Sequence, residues 1–151
     1  MAGYPPTTAA GAWLDLTGKF VMGWRGRLPA RAAARLEDLM TLSTHVLDAS
    51  RGCPAGGVPV ELFGRDGSGW RRLGGGTTDA DGRLRDFGED AAGLAGGTYR
   101  LVFDTAAYFA ATGQRGFYPE VSVTFDCTDP AAHYHVPLLL SPFAYSTYRG
   151  S

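Results

Sequence analysis

Three histidines, His45, His133 and His135, are the only ones in the chain. With an ordinary pKa of about 6.5, an imidazole exchanges protons at neutral pH, which makes each a candidate acid or base. His133 and His135 stand two apart in a run that reads as extended, so their rings share one face while Tyr134 takes the other. Such a pair could hold a metal, with His45 as a third ligand, but no carboxylate stands at ligand spacing and we expect no metal. Arg83 offers the complementary chemistry, a permanent charge on a planar fork of donors suited to carbonyl and oxyanion groups. It follows Asp79-Ala80-Asp81-Gly82. An EF-hand would need an acid where Thr77 stands and a Glu where Gly88 stands, so a β-turn at Asp81-Gly82 is the simpler account. Taken singly, a strand histidine is more often structural than catalytic, and Arg83 reads as a plain surface arginine.

The remaining reactive or flexible features carry less. Cys53 and Cys127 lack the short Cys or His spacing of metal motifs, and two free thiols in a reducing compartment is the reading we adopt. Gly74-Gly75-Gly76 lacks the strand-to-helix context and Lys-Ser/Thr ending of a phosphate loop, and reads as a flexible loop or hairpin turn.

The elements that must position these groups are mostly short strands. From Leu42 onward, β-rich runs alternate with Gly, Pro and Asp, which predicts strands near 42–48, 58–64, 69–77, 98–104, 120–127 and 133–140. A weak strand near 84–87 and another near 145–149 bring the count to about eight, an all-β sandwich. One short helix interrupts them, capped by Asp104, running over Thr105-Ala106-Ala107-Tyr108-Phe109-Ala110-Ala111 and stopped by Gly113. Aromatic residues recur through Phe143-Ala144-Tyr145-Ser146-Thr147-Tyr148, which argues that the tail is packed as an edge strand against a partner subunit.

Residues 1–40 differ, with a Pro/Thr/Ala/Gly-rich start and a possible short helix after Pro29; they read as a mobile extension ahead of a domain over 41–151. With 151 residues, 44% hydrophobic, 19% charged and a net charge of -1, the chain has the balance of one soluble globular domain and no sign of a nucleic-acid or polybasic membrane partner. It offers no run of roughly 20 apolar residues, no signal-peptide order and no peroxisomal ending in Arg149-Gly150-Ser151, so the cytoplasm is the expected compartment.

Three segments together resemble a known family: Leu42-Ser43-Thr44-His45-Val46-Leu47-Asp48 continuing through Gly52-Cys53-Pro54-Ala55-Gly56-Gly57-Val58; Thr78-Asp79-Ala80-Asp81-Gly82-Arg83; and His133-Tyr134-His135-Val136-Pro137-Leu138-Leu139-Leu140-Ser141-Pro142, closed by Tyr145-Ser146-Thr147-Tyr148-Arg149-Gly150-Ser151. Over residues 41–151 the chain is similar to the transthyretin-related family, and to its hydrolase branch, whose hallmark is a terminal Tyr-Arg-Gly-Ser. The extension of residues 1–40 departs from that pattern.

The resemblance implies a transthyretin-like β-sandwich, assembled as a homotetramer that is a dimer of dimers. It implies hydrolysis of 5-hydroxyisourate to 2-oxo-4-hydroxy-4-carboxy-5-ureidoimidazoline in urate breakdown, with no cofactor and no redox step. By motif, the site falls on His45, Arg83, His135 and the terminal Tyr148, Arg149, Gly150 and Ser151. The chemistry asks for a proton acceptor, a cation for developing negative charge and donors that orient a polar heterocycle. His45 is the expected general base, with His135 positioning substrate or passing the proton onward, though the order of the two could be reversed. Arg83 would bind ring carbonyls and stabilise the tetrahedral intermediate. Ser151 and its terminal carboxylate would orient water, substrate or a histidine. A serine nucleophile is less attractive, since no buried acid can be assigned to a triad. The competing readings are a carrier that binds a small hydrophobic ligand in a tetramer channel, and a noncatalytic interaction module; both leave the polar set of His45, Arg83, His135 and Ser151 unused.

Overall fold

A computed structural model describes residues 41–88, 91 and 94–151. The extension expected over 1–40, with its short helix, lies outside the described residues. Among the described residues, nine strands and one helix build two facing sheets.

The first sheet carries the chemistry. Its β1 (Thr41–Asp48) alternates along its length: Leu42, Thr44, Val46 and Asp48 are buried against the core, while Thr41, Ser43, His45 and Leu47 take the other face. A two-residue β2 (Cys53–Pro54), too short for any alternation to announce, pairs with the end of β1. The second sheet takes β3 (Pro59–Asp66) and β4 (Gly69–Thr77), whose hairpin carries a bulge between Leu62 and Phe63. A short β5 (Arg83–Leu84) returns to pair with β1. Then come β6 (Gly97–Phe103), helix α1 (Thr105–Ala111), β7 (Val121–Cys127), β8 (His133–Ser141) and β9 (Ala144–Thr147). The sheets run β2-β1-β8-β9, with β5 also on β1, and β4-β3-β6-β7.

Gly74-Gly75-Gly76 is strand, not the loop or turn expected of it. The Gly75 N–H donates to the Phe87 carbonyl at 2.9 Å, and a side chain at Gly74 would overlap that same carbonyl. The run is glycine because residues 84–88 cross directly over it.

Between the sheets lie Val46, Leu62, Leu101, Phe103, Leu138 and Leu140, each essentially inaccessible. Helix α1 begins as its cap predicts, the Asp104 carboxylate accepting from the Ala107 N–H at 2.8 Å. It is tied to the first sheet by Asp48. One oxygen of that buried carboxylate accepts from the Ser50 and Arg51 N–H groups and the Ser50 hydroxyl; the other accepts from the Tyr108 hydroxyl at 2.9 Å and the Gln114 amide at 3.1 Å.

Candidate functional site

Register places the polar side chains in one row. Strands β1 and β8 run parallel, with Thr41 beside His133, Ser43 beside His135 and His45 beside Pro137. All six lie on the face turned from the core. On the other side of β1, the antiparallel pairing with β5 sets Arg83 directly opposite His45. That placement follows from the turn before it. Gly82 adopts a left-handed φ of 73°, a side chain there would overlap the Val46 carbonyl, and the Val46 N–H donates to the Gly82 carbonyl at 2.7 Å. The Asp79 carboxylate closes the turn, accepting from the N–H groups of Asp81 and Arg83.

On the far side of β8 the tail completes the row. Pro137 has no N–H for the neighbouring strand, and its carbonyl accepts from the Thr147 hydroxyl at 2.7 Å. The β9 ladder accordingly stops at Leu138–Thr147, and the chain rejoins β8 only where the Gly150 N–H donates to the His135 carbonyl at 2.9 Å. A side chain at Gly150 would overlap the His135 ring. Glycine lets the tail lie on that imidazole and brings Ser151 to the cleft.

The cleft has a volume of about 480 Å³ and is lined by Ser43, Arg83, Arg85, His133, His135 and Ser151. Of the residues expected from sequence, it brings together Arg83, His135 and Ser151. His45 stands in the row between Arg83 and β8 but does not line the cleft; its Nε2 is buried with no hydrogen-bond partner. Tyr148 and Arg149 line a second, mainly apolar cavity of about 240 Å³ between β7 and β8, where the Arg149 guanidinium lies 5.4 Å from the centre of the Tyr134 ring.

His133 was expected on the face of His135 and stands there, the rings stacked at 6.4 Å. The buried Ser43 hydroxyl lies 2.8 Å from Nδ1 of His135 and 3.0 Å from Nε2 of His133, and the Thr41 hydroxyl lies 2.7 Å from Nδ1 of His133. Sequence reasoning gave Thr41, Ser43 and Arg85 no role. Their alternation with His45 and Arg83 was the available signal, but which strand they faced was not. Burial, and then the positive charge of Arg83, hold the His135 pKa below its ordinary value, with smaller contributions from His133 and His45. Neither cysteine reaches the cleft; both are unpaired, and burial pushes the Cys127 thiol up to about 11.

The described residues contain no cluster of three His, Cys, Asp or Glu side chains able to hold a metal ion, and no helix long and apolar enough to cross a membrane. The chain is thus a two-sheet sandwich with a cleft of His, Arg and Ser side chains on one outer face, and the comparisons give it a family. The model of the HIUase/Transthyretin family matches residues 42–150, and the chain belongs to that family. It is 46% identical over 111 residues to a probable 5-hydroxyisourate hydrolase of Caenorhabditis elegans, covering 74% of this chain and 82% of that one. Among solved structures it is similar to the 5-hydroxyisourate hydrolase of Klebsiella pneumoniae, with 41% identity, a TM-score of 0.65 and coverage of 75% of this chain and 100% of that one. Sea bream transthyretin in complex with thyroxine shares 35% identity at a TM-score of 0.67, over 72% of this chain and 93% of that one.

Proposed function

We propose that this protein is an enzyme that hydrolyses 5-hydroxyisourate to 2-oxo-4-hydroxy-4-carboxy-5-ureidoimidazoline, a step of urate degradation. The observation that carries the reading is the cleft itself: Arg83, His135 and Ser151 converge on one polar surface beside a His45 whose Nε2 has no partner. That surface suits a small polar heterocycle. A purely apolar ligand, as the carrier reading requires, would strip water from Arg83, Arg85 and two imidazoles without replacing it.

The geometry favours the reversed order of the histidines. With Nδ1 of His135 occupied by Ser43, its Nε2 is the nitrogen left for water, and its lowered pKa keeps it unprotonated near neutrality. His135 takes a proton from water as the hydroxyl adds to the ring carbonyl carbon. Arg83 receives the negative charge that develops on oxygen. Collapse of the tetrahedral adduct breaks the ring C–N bond, the leaving nitrogen takes up a proton, and a carboxylate remains. His45 and Ser151 orient the substrate, while Gly150 lets the tail lie on the His135 ring and Tyr148 and Arg149, which line the second cavity, hold that tail in place. The mechanism calls on no metal or cofactor. The working form is a homotetramer, supported by the transthyretin relationship and by the exposed β9 edge. The cytoplasm is supported by two unpaired thiols.

The test generates 5-hydroxyisourate from urate with a urate oxidase and follows its decay in the ultraviolet. Rapid decay with the intact chain, falling to the spontaneous rate for His135→Ala and on removal of residues 148–151, and only partly reduced for His45→Ala, is the expected result. A folded intact chain that leaves the spontaneous rate unchanged sinks the hydrolase reading and makes a carrier the next hypothesis.

A further inference from the structure

The hydrogen-bonded row runs on past His135, and hydrolysis as described makes no use of its far end. Thr41, His133, Ser43 and His135 are linked by three contacts of 2.7, 3.0 and 2.8 Å, from exposed Thr41 and His133 inward to a half-buried His135. A hydroxyl has a single proton to donate, so the two imidazoles cannot both ask the same of Ser43. If His135 holds its proton on Nδ1 and donates it to Ser43, then Ser43 donates to a bare Nε2 on His133, which keeps its own proton on Nδ1. If instead Ser43 donates to a bare Nδ1 on His135, then His133 donates from Nε2, and its Nδ1 accepts from Thr41. These two arrangements are the ends of one concerted proton shift.

We propose that Ser43 and His133 are positioning residues that relay the proton gained by His135 out to solvent and return it later in the cycle. The inference rests on the hydrolase reading of the cleft. A proton from the attacking water enters at Nε2 of His135. The Nδ1 proton of His135 passes to Ser43 Oγ as the hydroxyl's own proton passes to Nε2 of His133, and the Nδ1 proton of His133 leaves through Thr41. One proton enters and one departs, and each imidazole ends neutral in the other tautomer. Running backwards, the same shift brings a proton from solvent to Nδ1 of His135 as the Nε2 proton passes to the leaving nitrogen. The surroundings explain why the charge is passed on. Arg83 on β5, Arg85 beyond it, His45 on β1 and His133 on β8 all stand near His135, and a lasting imidazolium there meets positive neighbours inside a partly buried site.

The test uses the full chain with His133→Gln, Ser43→Ala and Ser43→Thr. Glutamine at 133 keeps a hydrogen-bond partner for Ser43 but cannot pass a proton on, and His133 is exposed, so this variant separates relay from structural support. His133→Gln and Ser43→Ala are expected to lower kcat roughly tenfold with KM unchanged, a share of the ~10²–10⁴-fold that general acid–base catalysis contributes. They should also diminish the solvent isotope effect on kcat, and Ser43→Thr should restore both. A readout that needs no turnover is the ¹⁵N spectrum of the imidazoles. The relay requires His133 and His135 to hold matched tautomers, both protonated on Nδ1 or both on Nε2. Opposite tautomers overturn the proposal, as do variants that keep the full kcat and isotope effect in an active enzyme. An intact chain that fails to turn over 5-hydroxyisourate counts instead against the hydrolase reading, and the tautomers still decide whether the wire exists.

Discussion

His135 owes its low pKa first to burial and then to the charge of Arg83, and the two causes can be separated. A base whose pKa is lowered stays neutral further into acid, so the acid limb of the kcat/KM profile is expected below about pH 6.5, the ordinary imidazole value. Arg83→Gln removes the electrostatic contribution and leaves the burial one. The surviving activity should then lose its acid limb at higher pH, and the His135 resonances should titrate higher in parallel. A His135 titration that stays put in Arg83→Gln would show that guanidinium and imidazole do not communicate. At this scale the sequence was partly readable. The i, i+2 spacing of His133 and His135 gave their common face without any structure. Ser43 stayed hidden because its partners lie 90 and 92 residues away, a separation that no local pattern reports.

Strand β1 owes its fixed position to Asp48 at its end as much as to the ladders on its flanks. Burial alone would push this carboxyl up, but hydrogen bonds from Ser50, Gln114, Tyr108 and the Arg51 N–H outweigh it and hold the pKa below the usual carboxylate value. Asp48→Asn places an N–H₂ group among donors and removes the charge they surround, at a cost of about 3 kcal/mol. The sign with pH follows from the depressed folded pKa. The Asp48 contribution is complete above the unfolded carboxylate value of about 3.9 and is lost as pH falls through the lower folded value. Denaturant midpoints of the two proteins should therefore differ fully at pH 7 and converge below pH 4; a gap that persists in strong acid would assign the effect to shape instead of charge. Most elements were legible: the predicted strand at 42–48 is β1, that at 133–140 is β8, and α1 runs over the seven residues its cap and stop define. What escaped was set by neighbours. The pair Cys53–Pro54 is strand only because β1 lies beside it, and the weak strand expected near 84–87 shortens to Arg83–Leu84 where it leaves β1 to cross Gly74.

Across the whole molecule, the first sheet ends at β9, a strand exposed along its full length. The Leu140 carbonyl accepts from Ala49 on the β1 side, so Tyr145, directly opposite Leu140 on β9, turns its own N–H and carbonyl away from the sheet. Phe143 and Tyr148 flank this edge at 72% and 57% exposure, and Tyr145 meets Tyr118 edge-on at 5.2 Å. An apolar, unpaired edge of this kind asks for another strand, and the symmetric way to supply one is a second copy running antiparallel. That contact makes a dimer, and with two such dimers in the proposed homotetramer the intact chain is expected to elute with a mass near four times its 16.0 kDa. Tyr145→Pro removes an outward N–H and an aromatic contact while sparing the pairing with β8. It should reduce the assembled mass with the far-ultraviolet spectrum unchanged, and lower turnover as well, because the tail carrying Gly150 and Ser151 to His135 continues directly from β9. Light scattering behind a sizing column reads the mass and the urate-coupled assay reads the rate. A variant that stays tetrameric would move the contact elsewhere, whereas a monomeric variant with full activity would show that one subunit holds a complete site.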